Sequence, residues 1–529
     1  MTVAARTFPA LLLIALLAGT AAGDRPAAPP GRVGAPRAAS TPRPVDWPRF
    51  ALFGWVSPPE EFASPARYAE LAGAGFNVVM PAWNDSGGEA ANRARLGFAR
   101  PLGLRCLLVD VDLDHYHAAQ PATAWWADTV VARYAGDPAF LGWYLGDEPP
   151  AGDMPRIREW CDALRSRDAT HPPYNNLYGR MAFASRTEWE SYLTHYVNTV
   201  QPDLLCADQY DFLADGDRHQ LVECAATLTA LARERGVPCW GIVQLVQHRG
   251  YRAITPGLLR WQVGTWLAYG ARGIGYFTYW TPAPDTTWHW QPAMLTHDGA
   301  RTPLYDDVRA LNASASAAGN ALAGMVWLAC EQAGSVSPGG TPFAPDGAIA
   351  SVEGRATLGA FVDSLERAHV LVVNADSVAA RTVTLTLAGA GRRAWALRAS
   401  GAWDELAVTA AGRCALALDP GAFTLVRLSD AADSLVAGRG APRLSLGPNP
   451  ARGRVVLTVS AMSRGARLEV LDLSGRRVWS RDFPEGGSAA PVWSGERDGG
   501  GRVPPGVYVA RVEDAHGVSA RRVSWLGGR

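Results

Sequence analysis

Leu141-Gly142-Trp143-Tyr144-Leu145-Gly146-Asp147-Glu148-Pro149 is the stretch on which the reading of the chain turns. Leu141 to Leu145 is a short apolar and aromatic run, the pattern of a buried strand. Gly146 frees the backbone, two adjacent carboxylates follow, and Pro149 ends the strand. Asp147 and Glu148 are therefore expected at the C-terminal lip of a strand, where parallel sheets and barrels keep their chemistry. A carboxylate there can give or take a proton if burial tunes its pKa. The same run also fits a helix entry, in which Asp147 or Glu148 is only a cap.

Outward from this stretch, strand and helix patterns alternate from residue 48 to about residue 320. Strands are expected over 50–57, 76–83, 104–112, 141–146, 173–178, 204–210, 238–246 and 273–280. Helices are expected over 65–74, 89–100, 123–134, 155–167, 187–200, 218–235, 256–269 and 304–322. Such alternation implies parallel βαβ units, and this many units make a (β/α)8 TIM barrel over 48–323. A doubly wound open sheet is the alternative, but no Gly-rich phosphate loop follows the first strand, which argues against its nucleotide-binding version.

In a barrel the strand ends converge on one face. They carry Trp55 and Ser57; Trp83, Asn84 and Asp85; Asp110 and Asp112; Asp147 and Glu148; Asn175 and Asn176; Asp208, Tyr210 and Asp211; Gln244 and Gln247; Tyr279 and Trp280. Carboxylates and amides suit sugar hydroxyls, and aromatic rings suit the apolar faces of sugars, so the expected partner is a carbohydrate. The 281–300 loop, with Trp288, His289 and Trp290, is too long for an ordinary turn and reads as a lid or a padding loop.

Residues 48–320 resemble the glycoside hydrolase barrels related to the large retaining superfamily with its acid/base at the end of strand four. The resemblance is carried by Trp143-Tyr144-Leu145-Gly146-Asp147-Glu148-Pro149 and by Gly270-Ala271-Arg272-Gly273-Ile274-Gly275-Tyr276. It implies that Glu148 is the general acid/base. Two departures stand out. Asp147 occupies a position where that superfamily usually has Asn, and the seventh strand, Trp240-Gly241-Ile242-Val243-Gln244-Leu245-Val246-Gln247, has glutamines where the nucleophilic Glu belongs. A second carboxylate must then come from Asp208 or Asp211, or from Asp110 or Asp112, and Asp208 is the choice taken here. Carboxyl groups about 5–5.5 Å apart permit retention, and about 6.5–9.5 Å suits inversion. Asp147 would orient Glu148 or bind a hydroxyl, and its charge would help keep Glu148 protonated. Trp55, Trp83, Asn176, Tyr210, Gln244, Tyr279 and Trp280 complete the expected sugar site. The competing reading is a non-catalytic carbohydrate-binding or scaffold barrel that lacks the nucleophile.

Composition narrows the field. With 50 acidic and 50 basic residues the formal charge is zero, so bulk electrostatics imply neither nucleic acid nor an anionic membrane as partner. No lysine occurs in the chain, which excludes Schiff-base chemistry through a lysine. The seven cysteines show no metal-ligand spacing, and Cys106, Cys206 and Cys239 fall within apolar strand runs, as buried thiols do. His115 and His117 follow Asp110, Asp112 and Asp114, a set that could hold a cation, although a solvated strand end is the simpler reading. Neither a cofactor nor a metal is expected.

At the front, Arg6, an apolar run over 8–18 and Thr20-Ala21-Ala22-Gly23 read as a signal peptide over 1–23, and 24–47 as a disordered Pro/Ala/Gly/Arg linker. The expected location is therefore secreted or at the cell surface, with no transmembrane segment in the mature chain. Over 324–430 short alternating runs separated by Gly- and Pro-containing turns predict a β-sandwich. Residues 431–443 read as a linker, and 444–529 as a second all-β unit. In that unit, Leu446-Gly447-Pro448-Asn449-Pro450, Leu468-Glu469-Val470-Leu471-Asp472-Leu473-Ser474-Gly475-Arg476 and Asp498-Gly499-Gly500-Gly501-Arg502-Val503-Pro504-Pro505-Gly506-Val507-Tyr508 resemble the Ig-like domain of the flagellar hook-capping type and the sorting domain of type IX secretion. That resemblance implies contact with secretion machinery or attachment to the cell surface.

Overall fold

Eight short strands pair side by side in one parallel sheet. They are β1 (Ala51–Trp55), β2 (Val78–Val79), β3 (Arg105–Leu108), β4 (Phe140–Asp147), β5 (Pro173–Asn176), β6 (Leu205–Gln209), β7 (Cys239–Gln244) and β8 (Gly273–Phe277). The computed structural model describes residues 45–527 except 46, 83–84, 114–123, 347, 364, 366, 390, 430–441, 448, 450, 473–475 and 515–516. The strand order is β5-β4-β3-β2-β1-β8-β7-β6. The ring closes between β5 and β6 through a parallel bridge from Leu177 to Ala207, where the Leu177 N–H donates to Cys206 O at 2.9 Å. This is the TIM barrel.

The period of two along each strand decides what fills the barrel. Phe53, Leu107, Tyr174, Trp240, Ile242 and Phe277 meet in a lumen cluster. Gly273 and Gly275 of β8 make room for it: a Cβ on Gly275 would stand 2.3 Å from the Phe53 ring, and one on Gly273 2.5 Å from the Trp240 ring. Trp47, inside the segment expected as linker, packs edge-on against Trp240 at 5.2 Å and donates its ring N–H to Asp203 O, closing the lumen beside Trp240.

Outward-pointing side chains such as Trp143, Leu205 and Ile274 pack against the helices. These are α1 (Pro65–Gly73), α2 (Glu89–Ala99), α3 (Ala124–Tyr134), α4 (Met154–Arg165), α5 (Arg186–Thr199), α6 (Leu221–Arg235), α7 (Pro256–Ala268) and α8 (Pro303–Leu322). Ser64, Ser185 and Thr255 cap α1, α5 and α7 by accepting a backbone N–H. Helix α6 starts three residues later than the sequence pattern indicates. A small hairpin of Phe212–Leu213 with Gly216–Asp217 precedes it, and Asp211 accepts the N–H groups of Gln220 and Leu221.

The segment from Val326 to Ser429 forms a six-stranded and a three-stranded antiparallel sheet. Helix α7 lies directly on the larger sheet. A Cβ on Gly264 would come within 2.8 Å of Val373 Cγ1, and the Trp327 ring N–H donates to Ala268 O at 2.9 Å. Phe361, Leu371, Val373 and Leu425 consequently belong to the same apolar cluster as the barrel helices. Two further antiparallel sheets between Arg443 and Trp525 enclose a separate core, in which Trp493 and Trp525 stand 5.1 Å apart. The architecture is a TIM barrel with additional β domains. All seven cysteines are buried and unpaired. Among the described residues, no helix is long and apolar enough to cross a membrane.

Candidate functional site

The strand end at 146–149 is locally unusual. The β4–β5 register shifts between Tyr144 and Gly146, and Gly146 takes φ 151°, which a side chain would resist. Glu148 itself sits at φ 45°, in the left-handed region, a conformation that costs a non-glycine residue about 1–2 kcal/mol. The Glu148 N–H donates to Asn176 O at 2.9 Å, and the Tyr192 hydroxyl donates to Pro149 O at 3.0 Å, so the surrounding structure holds the residue there. Backbone held out of its preferred regions is a recurrent feature of functional sites.

Three carboxyl groups meet at this mouth. The Asn176 amide on β5 donates to Asp147 Oδ1 and to Asp208 Oδ1, each at 3.0 Å, and so bridges β4 and β6. Glu148 stands beside Asp208, close enough for the two carboxyl groups to perturb each other. Burial, then the charge of Asp208, pushes the Asp147 carboxyl up to about 7, with the Asn176 bond opposing. Burial, then Asp208 and Asp147, raises Glu148 well above the usual carboxylate range. Burial lifts Asp208 to about 6, while the bond from Asn176 holds it down. The pattern separates roles: Glu148 keeps its proton, and Asp208 ionises first.

Aromatic side chains surround the trio. Tyr210 is raised well above its usual range by burial and by the charges of Asp208, Asp147 and Glu148. Tyr178 is pushed up to about 12 by burial and by the charges of Glu148, Asp147 and Asp208, and Tyr251 is raised by burial and, among other charges, by Asp208 and Glu148. His248 lies against Tyr251 at 4.7 Å and stacks on Trp290 at 4.7 Å. Its Nδ1 faces Val246 O, a group that only accepts, so Nδ1 carries the hydrogen. Burial lowers its pKa to about 4, so the ring is neutral. Trp288 stacks on Trp290, and the Arg249 N–H to Trp288 O bond (2.6 Å) and the Gln291 N–H to Gln247 O bond (3.0 Å) latch the 281–300 loop onto the loop after β7.

Not every residue expected at the lip is there. Tyr279 lies past the end of β8 and turns outward, edge-on to Phe76 at 5.8 Å in the layer between barrel and helices. Trp280 is fully buried beside Phe62 and Arg67 and donates to His297 O. Neither ring can meet a sugar at the mouth. Gln244 is also committed: Oε1 accepts the Phe212 N–H, and Nε2 donates to Phe212 O and Arg252 O. Asp211 caps α6, and Asp110 is held by Arg133 and Tyr134. Asp112 pairs with Arg133. Trp55 stands in the lumen, edge-on to Tyr144 at 5.3 Å. Trp83, Asn84, Asp114, His115 and His117 lie outside the described residues. Among the described residues no group of three or more His, Cys, Asp or Glu side chains is arranged to hold a metal ion. Tyr178 and Tyr251 escaped the sequence reading. Tyr178 lies two residues past the end of β5, its ring against Phe183 and Tyr192, where no strand period fixes its direction.

No protein-family model and no curated protein matches the chain. Solved structures give remote likenesses. A glycoside hydrolase family 5 structure from Bacteroides vulgatus shares 13% identity over 72% of this chain and 89% of its own, with a TM-score of 0.48. A β-galactosidase from the psychrophilic Marinomonas ef1 shares 12% identity over 52% of this chain, with a TM-score of 0.40, and this chain spans only 62% of its length. An endo-β-1,4-mannanase from Thermotoga petrophila shares 8% identity over 91% of this chain and 99% of its own, with a TM-score of 0.36. Likenesses this remote carry no weight for activity, and the barrel rests on its own strand pairing.

Proposed function

We propose that this chain is an exported glycoside hydrolase-like protein acting on a carbohydrate, with Glu148 as the proton donor. The observation that carries the reading is the trio of carboxyl groups at the C-terminal mouth of the barrel, Asp208 buried and Asp147 and Glu148 partly exposed, with the Asn176 amide bridging Asp147 and Asp208. A carboxyl group raised well above its usual range holds its proton at neutral pH and can pass it to a leaving glycosidic oxygen. Asp208, ionised at neutral pH, stabilises the positive charge that builds at the sugar's anomeric carbon. Tyr178, Tyr210 and Tyr251 supply hydroxyls and ring faces to the same place. Export and surface attachment belong to the same proposal, supported by the signal-peptide pattern over 1–23 and by the separate core of the last β unit.

A second reading, a sugar-binding barrel without catalysis, draws on one observation. The end of β7 offers Gln244, already engaged with Phe212 and Arg252, in place of a carboxylate.

The test is hydrolysis of a polysaccharide and aryl-glycoside panel by the full chain, wild type beside Glu148→Gln. Turnover by the wild type that falls by about 10²–10⁴ in the variant supports the enzyme. Sugar binding without turnover by the wild type moves the assignment to the binding barrel.

A further inference from the structure

A row of packed side chains crosses three loops beside the carboxyl groups. Arg218, after the hairpin that follows β6, donates from Nη1 to Tyr210 O at 2.7 Å and lies over the Tyr251 ring at 5.2 Å. Tyr251 stands edge-on to Tyr210 at 5.9 Å and against His248 at 4.7 Å. His248 stacks on Trp290 and Trp290 on Trp288, and the Arg249 guanidinium closes the row 5.3 Å above the Trp288 ring. The row therefore begins two residues beyond Asp208 and runs out over the loops after β7 and β8, with an arginine at each end.

The row is positive. Among the described residues neither Arg218 nor Arg249 forms an ion pair, whereas Arg252, in the same loop as Arg249, is paired with Asp217 at 3.0 Å. Asp285, the acid nearest to Trp288 in sequence, is turned back onto the N–H groups of Thr287 and Trp288. The neutral His248 adds no charge of its own. His248, Trp290 and Trp288 give their faces to one another and turn their edges outward, and the edge is the positive side of an aromatic ring. The backbone is constrained here as well. Arg249 is exposed and sits at φ 43°, held by the 2.6 Å bond from its N–H to Trp288 O, and His289, between the two tryptophans, sits at φ 50°. Such outliers cluster where a surface is shaped for a ligand.

We infer that the glycan bound at this mouth is acidic, carrying carboxylate or sulfate groups on the units beside the cleaved bond, and that Arg218 and Arg249 select it by those anions. This rests on the glycosidase reading above. An anionic substituent offers each guanidinium a charge-assisted bond, which a neutral hydroxyl does not. Asp147 and Asp208 disfavour an anion at the cleaved bond itself, so the anions belong to the units that lie along the row.

The experiment gives the full chain alginate, polygalacturonate and a sulfated galactan, each beside its own carboxyl-reduced or desulfated form, and measures binding and the release of reducing ends. The neutral forms keep the linkages and lose the charge. The expected result is that at least one acidic polymer is bound at least about tenfold more tightly than its neutral form, with the excess shrinking as salt is raised. Arg249→Gln lowers that excess about threefold to fivefold, and Arg249→Lys restores most of it. A preference for the uronates identifies the anion as carboxylate, and a preference for the galactan identifies it as sulfate. Equal treatment of charged and neutral forms, with turnover of either, overturns this inference and leaves the glycosidase reading standing. A preference that persists undiminished in Arg218→Gln/Arg249→Gln also overturns it. Arginine-dependent binding of an acidic polymer without turnover of any upholds the inference and moves the chain to the binding barrel. Neither binding nor turnover of any polymer overturns both.

Discussion

Glu148 and Asp208, at the ends of β4 and β6, act on each other across β5, and the Asn176 amide from β5 donates to Asp208 Oδ1 at 3.0 Å. Burial and the charges of Asp208 and Asp147 raise Glu148 well above the usual carboxylate range, while the Asn176 bond holds Asp208 down, so Asp208 ionises first. Activity needs Asp208 ionised and Glu148 protonated, so the acid limb of the kcat/KM profile is expected near pH 6, where Asp208 titrates. Asn176 favours the ionised form of Asp208. Asn176→Ala removes that donor, so the acid limb moves up by about one pH unit. An unchanged limb in the variant contradicts the role given to the bridge.

Stability carries the same signature. Asp147 is held at about 7 in the fold, against an ordinary value of 3.8. A carboxyl raised in this way contributes its stability fully below its unfolded pKa, near pH 4, and loses it as the pH rises through about 7. Asp147→Asn cannot ionise. At pH 8 it should therefore melt roughly 2–4 °C above the wild type, with the difference gone at pH 4. Thermal melts at the two pH values check this, and equal melting temperatures at pH 8 contradict it.

Restoring a carboxylate at the end of β7 should not create a nucleophile. Gln244 donates to Phe212 O and Arg252 O, and a glutamate has no donor for either. Gln244→Glu leaves two carbonyls facing a buried carboxylate and should cost about 2–3 kcal/mol of stability, with no gain in hydrolysis. A gain in kcat without a loss of melting temperature contradicts the structural role of Gln244.

The barrel and the sheets between Val326 and Ser429 should melt together. Gly264 of α7 leaves 2.8 Å between its absent Cβ and Val373 Cγ1, and 3.0 Å to Phe423 Cδ1. Gly264→Val overpacks that seam, at about 1–3 kcal/mol. Calorimetry should show the main transition lowered. A transition from the Leu444–Trp525 core, which shares no cluster with the barrel, should stay in place. A single transition that shifts as a whole contradicts this division.

The fold was legible because strand and helix periods are written in local sequence. Phe140–Asp147 announces itself by an apolar run, a glycine and two acids, and β8 by its alternating Gly273 and Gly275. The site was legible where the informative residue lies on a strand, as with Asn176 and Asp208. It was not legible where a side chain's direction depends on where the strand stops. Strand β8 ends at Phe277, and the backbone beyond it turns Tyr279 and Trp280 into the helix layer. The commitment of Gln244 was hidden for a related reason. Its partner, the hairpin at Phe212, is too short to leave a period in the sequence. Tyr251 and His248 come from a loop, where no period marks which side chains turn inward.

The most direct measurement of the central claim, that Glu148 donates the proton, is the leaving-group dependence of its removal. Paired aryl glycosides of the sugar that the wild type hydrolyses, one with a good and one with a poor leaving group, are assayed with Glu148→Gln. The predicted result is a loss of about 10³–10⁴ in kcat/KM on the poor leaving group and under about tenfold on the good one, which departs without a proton. Equal losses on both substrates, or no loss on either, would contradict the assignment of Glu148 as the acid.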